Sequence, residues 1–227
     1  MSEIWDTLTD IQRSFQDHFD STGIEIEQAL LKDFNKPGWT NQVWESNRYR
    51  RAHIDVVDAR KTKGLWMMHC CIFPHTHNPA PIYGFDVIAG RNKITGFFHD
   101  FSPAGDNEHP LINWFANEVK LLEWKKTRQL PDWAERIFTP HIIAASNIQK
   151  LEELDQIFDI ADKSINHYLN TIEETNNTVE NTTAAQNYYL TNQKLNPNNA
   201  RAMLNLGLDE IHIQTFINEC MFPEIPL

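Results

Sequence analysis

The sequence predicts an α/β fold, a three-layer α/β/α sandwich whose central antiparallel sheet is flanked by helices on both faces. Three observations lead there. Apolar residues recur at three- and four-residue spacing toward both ends of the chain, which marks amphipathic helices. Between these ends, four successive segments have the composition of strands. The loops joining those segments are short, and short loops favour antiparallel pairing of neighbours. With 227 residues and no stretch resembling a long linker, one domain over residues 1–227 is expected.

The elements follow in order. Ile4, Trp5, Leu8, Ile11, Phe15 and Phe19 form one stripe of a helix over residues 3–20, ended by Ser21-Thr22-Gly23. A short helix is expected from Ile24 to Leu31, then a turn at Lys36-Pro37-Gly38. Strands are expected near Arg48–Asp58, Leu65–Phe73, Ile82–Ala89 and Lys93–Phe101, with Gly90-Arg91-Asn92 as a tight connection. If that loop has two residues, Asp86, Ile88, Thr95 and Phe97 fall on one face. A helix from about Pro110 to Trp124, a connector at Leu130-Pro131-Asp132-Trp133 and a strand within Ile137–Ala145 come next. Leu151 to Leu169 reads as a long helix, and Glu173–Thr183, rich in Asn, Thr and Glu, as a mobile loop. Two helices close the chain, on either side of Leu195-Asn196-Pro197 and beyond Gly207.

Composition excludes several classes. The net charge of −11 argues against nucleic acid or an anionic membrane as the main partner, since both require a dominant positive field. No apolar run approaches the ~20 residues of a membrane span. Met1 to Asp6 lacks the basic start and apolar run of a secretory signal, and the three cysteines include an adjacent pair on a strand. Reduced thiols and a cytoplasmic location are therefore expected. Basic residues cluster locally at Arg48, Arg50, Arg51, Arg60, Lys61 and Lys63, and again at Lys125, Lys126 and Arg128. Either cluster is a solvated face or a dock for an acidic partner or anionic ligand.

The chemistry concentrates between His53 and Asp86. His53 and Asp55 share one strand face, and His69 shares its own with Met67, Cys71 and Phe73. Asp86 stands among Phe85, Val87 and Ile88; burial there would raise its pKa toward that of a proton donor near neutrality. A zinc site at His69, Cys70, Cys71, His75 and His77 is disfavoured, because Cys70 points away from its neighbours and no second cysteine pair exists. Scattered single glycines provide no phosphate loop. What remains is acid-base work by Asp86, His69, His53 and Asp55, or a buried hydrogen-bond network that only fixes strand packing.

Four segments in the same order carry a family resemblance: His53-Ile54-Asp55, Met68 to Pro74, Tyr83 to Gly90, and Asp100 to Pro103. With Arg128 to Trp133 and Gln186-Asn187-Tyr188, they resemble the ferredoxin-dependent bilin reductases. The resemblance implies an antiparallel sheet between helical layers, biliverdin IXα as substrate, reduced ferredoxin as external electron donor, and no bound cofactor or metal. It implies that Asp86 protonates the bilin, that His69 holds the lactam oxygens and exchanges protons, and that His53 belongs to a water-linked relay. Thr95 and Arg128 fall where the family binds bilin propionates, and Arg48, Arg50, Arg51, Lys61 and Lys63 are expected to dock ferredoxin. The protein is expected to be a monomer, in the cytoplasm of a phototroph or of a host cell if virus-encoded.

The departures bear on the product. Phycocyanobilin-forming members have a glutamate, tied to D-ring vinyl reduction, where this chain has Asp55. The missing methylene withdraws the acid by roughly 1.5 Å. A second acidic position aligns with Asn196, and a propionate-binding lysine aligns with Pro197, leaving Lys194 to take its place. Four-electron reduction to phycoerythrobilin is therefore expected, with reduction to phycocyanobilin or a non-catalytic bilin carrier as the alternatives.

Overall fold

The structure, a computed structural model, describes residues 2–173 and 181–226. Helix α1 (Ser2–Thr22) is followed by a two-residue strand, β1 (Ile24–Glu25), and a 3-10 turn at Ala29–Asp33. Then come β2 (Trp39–Glu45), β3 (Tyr49–Ala59), the single helical turn α2 (Arg60–Lys63), β4 (Leu65–Pro74), β5 (Ile82–Ala89) and β6 (Ile94–Ser102). Helices α3 (Pro110–Val119) and α4 (Asp132–Glu135) precede β7 (Ile143–Ala145). The long α5 (Leu151–Thr171) leads to α6 (Thr183–Gln193), α7 (Pro197–Asn205), α8 (Glu210–Thr215) and a π-helical turn at Phe216–Met221. All seven strands form one antiparallel sheet in sequence order.

Strand alternation sends residues to two separate cores. Ile54, Val56, Met68, Cys70, Ile72, Phe85, Val87 and Phe97 face α1, α3 and α5, where Leu8, Ile11, Phe15, Phe19, Phe115, Ile157 and Ile165 meet them. Burying one such side chain contributes about 1.5–3 kcal/mol, so the α1 stripe alone suffices to dock the helix. The opposite face offers Trp39, Val43, Val57, Cys71, Phe73 and Ile82 to Tyr189, Leu190, Met203, Phe216, Ile217 and Phe222 of the C-terminal helices.

The sheet differs from expectation at its edges. Ile24 to Gln28 is not helical, and only the 3-10 turn overlaps the expected helix: Ile24 pairs with Glu45 on β2, consistent with the two-residue alternation Ile24-Glu25-Ile26-Glu27. Strand β2 was not anticipated, because Asn41 and Gln42 interrupt its apolar pattern. Of Ile137–Ala145 only the last three residues are strand. Pro140 has no N–H for a ladder, and the Thr139 N–H is taken by Asp100 Oδ2 at 3.0 Å. The third helix stops at Val119, short of Trp124. Three helices and a π-turn stand where two were expected. Most of the expected mobile loop, residues 174–180, lies outside the described residues, while Thr183 opens α6.

The β5–β6 turn also differs. Gly90 N–H bonds Lys93 O at 2.9 Å, and the register slips between Ile88 and Ala89, so Asp86 pairs with Phe98. Phe97 pairs with Val87 and packs in the opposite core, away from Asp86. The bulge leaves Thr95 as the extra residue between Ile94, opposite Ala89, and Gly96, opposite Ile88.

Candidate functional site

Register, more than spacing, assembles the site. Asn41 lies opposite Asp55, Asp55 opposite His69, His69 opposite Asp86 and Asp86 opposite Phe98. One row across β2 to β6 thus sets His69 between two carboxyls. Directly opposed side chains on one face have Cβ atoms about 4.5–5.5 Å apart, close enough for hydrogen bonds. The adjacent row holds Val43, His53, Cys71 and Gly84. At Gly84 a Cβ would come within 3.3 Å of the Tyr189 hydroxyl, so glycine lets α6 close on the sheet.

His69 Nδ1 lies 2.8 Å from Asp86 Oδ1. Burial alone would lower the His69 pKa; the Cys71 sulfur and the Asp86 carboxylate reverse that and raise it well above the ordinary histidine value. Its Nε2 is buried and has no hydrogen-bond partner among the described residues. Phe222 packs edge-on against the ring at 5.5 Å, and His53 lies 6.4 Å away, centroid to centroid.

Asp55 is the buried carboxyl. Desolvation raises its pKa to about 6, against the opposing pull of the Trp39 indole N–H, donated to Oδ1 at 2.5 Å, and of His69. The expectation of a buried Asp86 is corrected: its side chain is 37% exposed, because Phe85 and Val87 point to the other core and leave it on a partly uncovered face. Met67, Ile88 and Phe98 on that face are likewise half-buried. Together they form an apolar floor with one carboxylate set into it.

His53 is fully buried and its pKa lies well below the ordinary value, first through desolvation and then through the positive charges of Arg51 and His69. Its tautomer is fixed by β2. Asn35 Oδ1 accepts the Asn41 backbone N–H at 2.6 Å, so the Asn41 atom beside that oxygen, at 3.3 Å, is its amide nitrogen. Asn41 Oδ1 then faces His53 Nε2 at 3.2 Å, which makes Nε2 the donor and leaves a lone pair on Nδ1. Trp39 and Asn41 therefore hold the two ionisable groups of β3, and sequence reasoning missed both. The signal was present in the alternation Trp39, Asn41, Val43.

Arg128 and Thr95 come together at the edge of the floor. Arg128 Nη2 donates to Thr95 O at 2.6 Å, and its guanidinium sits 5.6 Å from the Phe98 ring centre. Lys194 and Asn196 stand apart from this pair, between α6 and α7. Lys194 forms an ion pair with Glu224 at 2.7 Å, and Asn196 caps α7 by accepting the Asn198 N–H at 3.0 Å.

The expected docking patch does not hold together. Arg51 is 5% exposed and donates to Cys220 O at 2.7 Å; burial lowers its pKa to about 10, and it cannot touch a partner. Arg50 turns inward to Gln186 Oε1 at 2.8 Å and onto Phe73. Arg48 donates to Leu169 O at 2.9 Å and pairs with Glu173 at 3.5 Å. Lys61 and Lys63 are exposed, but beyond the far end of the eleven-residue β3, about 35 Å from Arg48.

Residues 8–223 match the family model described as ferredoxin-dependent bilin reductase. The chain is 26% identical over 129 residues to the phycocyanobilin:ferredoxin oxidoreductase of Prochlorococcus marinus (strain MIT 9515), covering 57% of this chain and 50% of the relative. It is 24% identical over 193 residues to that of P. marinus (strain MIT 9313), covering 82% and 71%. The aligned chain thus spans half the length of the first relative. Among solved structures, PcyX superposes with a TM-score of 0.73 at 33% identity, over 96% of this chain and 99% of that one. Phytochromobilin synthase from tomato, in complex with biliverdin, superposes with a TM-score of 0.73 at 14% identity, over 93% and 82%, a likeness of fold.

Proposed function

The chain belongs to the ferredoxin-dependent bilin reductase family, and from that premise we propose that it reduces biliverdin IXα to phycoerythrobilin with electrons from ferredoxin. The observation that carries this reading is the row Asp55, His69, Asp86, which opens onto the half-exposed floor of Met67, Ile88 and Phe98. A flat, largely apolar tetrapyrrole suits such a floor. Ferredoxin delivers electrons singly, so a bilin radical forms, and its anionic form is costly away from water. Four electrons with four protons convert biliverdin IXα to phycoerythrobilin. Asp86, accessible at the floor, passes protons to the bilin; His69 accepts and returns them; His53, neutral with a lone pair on Nδ1, takes up a proton there and hands it on through water to His69. Arg128, exposed beside the floor, holds a propionate through charge-assisted hydrogen bonds. The protein needs no cofactor of its own, and it works as a monomer.

Product choice rests on Asp55. Its carboxyl is short by one methylene against a glutamate and is tied to Trp39, which draws it toward β2. Vinyl reduction therefore lacks its proton donor, and reduction stops at the D-ring-side methine bridge and the A-ring diene. Chromatography of the products of anaerobic turnover with reduced ferredoxin tests this. Phycoerythrobilin is the expected main product. Phycocyanobilin as the main product would defeat the assignment, and unchanged biliverdin would mark a carrier.

A further inference from the structure

Arg51 is a buried cation without a counter-charge. It is 5% exposed, on the sheet face that the C-terminal helices cover, and its Nε is buried with no hydrogen-bond partner among the described residues. Nη2 donates to Cys220 O at 2.7 Å, a neutral acceptor. No carboxylate pairs with the guanidinium among the described residues, and Glu45, the acid that acts on it, is exposed at the end of β2. Arg50, the extra residue where the register slips between Tyr49 and Arg51, lies on the same side against Phe73 and Gln186. Withdrawing a guanidinium from water in this way is costly. Burial lowers its pKa only to about 10, so it stays charged at neutral pH.

The strand shows where that charge is felt. Arg51, His53 and Asp55 follow at every second residue of β3, so Arg51 lies about 13 Å from Asp55 along the strand. The guanidinium is held at Cys220, two residues before Phe222, whose ring packs on His69. Its charge acts on His53, which it helps to keep neutral. Salt screens a charge so far from water only weakly.

We infer that Arg51 is a positioning residue for charge: its buried guanidinium stabilises the anion formed when biliverdin over the floor accepts an electron, and so eases reduction before any proton has moved. The inference rests on the reductase reading and adds to it a residue that touches neither bilin nor donor. In the step itself the donor loses one electron and biliverdin becomes its radical anion, which then takes a proton at the Asp86 and His69 pair. Protonated His69 and ionised Asp86 are opposite charges 2.8 Å apart and largely cancel at a distance. Asp55, with a pKa of about 6, is ionised at pH 8 and opposes an incoming electron; Arg51 offsets it. At about 13 Å and an effective dielectric near 20, one unit charge changes a one-electron equilibrium about ten-fold, equal to about 59 mV.

The test is anaerobic reduction of bound biliverdin by small chemical one-electron donors of graded potential, without ferredoxin, at pH 8, where Asp55 is ionised and His53 neutral. Arg51→Gln keeps an amide N–H for Cys220 O and loses the charge, whereas Arg51→Lys keeps the charge and a donor. The first electron should be accepted about ten-fold less favourably by Arg51→Gln, a shift of about 59 mV to more negative potential, and within about two-fold of wild type by Arg51→Lys. Cys220→Asp, which sets a carboxylate beside the same guanidinium, should shift the potential in the direction of Arg51→Gln and decides the matter if that variant does not fold. Wild-type potentials in Arg51→Gln or Cys220→Asp would overturn the inference. So would equal losses in Arg51→Gln and Arg51→Lys, since the fit to the π-helical turn, and not the charge, would then be what matters. Unchanged potentials in the variants leave bilin reduction standing. A wild-type protein that binds biliverdin but cannot be brought to reduce it by any donor would instead sink the reductase reading.

Discussion

Trp39 on β2 donates its indole N–H to Asp55 Oδ1 on β3 at 2.5 Å, inside the C-terminal core where Phe34 and Phe216 enclose the indole. A hydrogen bond to the charged form lowers a carboxyl pKa, so this contact restrains the rise that burial causes. Trp39→Phe, which keeps an aromatic ring there, should move the Asp55 pKa above about 6. Infrared titration of the carboxyl band, assigned by its loss in Asp55→Asn, measures the shift. An unmoved or lowered midpoint would contradict the role given to Trp39.

The same carboxyl weighs on stability. Asp55 titrates near 6 in the fold and near 3.8 unfolded, so the native state binds its proton more tightly. Its contribution is therefore most favourable below about pH 4, is lost as pH climbs through about 6, and stays constant above. Asp55→Asn keeps an oxygen for Trp39 without the charge. It should match wild type at pH 4 and be more stable at pH 7.5, by on the order of 1–3 kcal/mol. Urea melts at the two pH values decide this; equal stability at both would refute it.

His53 should be neutral at pH 7 and protonated on Nε2, held by Asn41 and by the charge of Arg51. Arg51→Gln removes one of the two positive charges that depress it, and the His53 pKa should rise. Nitrogen-15 NMR of the imidazole reads both tautomer and titration. An imidazolium at pH 7 in the wild-type protein would rule out the lone pair assigned to Nδ1.

Arg128→Gln removes the exposed guanidinium beside Phe98 and Thr95. A charge-assisted hydrogen bond to a carboxylate contributes roughly 1.5–3 kcal/mol, so biliverdin affinity should fall about ten-fold or more. The change should appear in KM with little loss of kcat. Unaltered affinity by absorbance titration would place the propionates elsewhere.

The central strands were legible in the sequence to within a residue or two. Apolar alternation marks them strongly, and the two-residue period correctly set His53 with Asp55 and turned Cys70 from His69. Register was not legible. It depends on turn geometry, and assuming a two-residue loop put Phe97 on the Asp86 face, where the four-residue turn and its bulge place Phe98. Burial was misjudged for a related reason. Asp86 has apolar sequence neighbours, but those at odd positions face the other core. Arg51 looked like surface because it is charged, yet it lies on the strand face that the C-terminal helices cover. Trp39 and Asn41 stayed hidden because a strand whose buried face carries an amide lacks the pattern that identifies strands.

The most direct test replaces the accessible acid of the row. Asp86→Asn keeps the size of the side chain and a hydrogen-bonding group for His69 but cannot take up and release a proton as a carboxyl does. With biliverdin and reduced ferredoxin under anaerobic conditions, absorption and electron paramagnetic resonance spectra should show near wild-type binding, a bilin radical that accumulates, and little product. Wild-type conversion to a reduced bilin by Asp86→Asn would contradict the account.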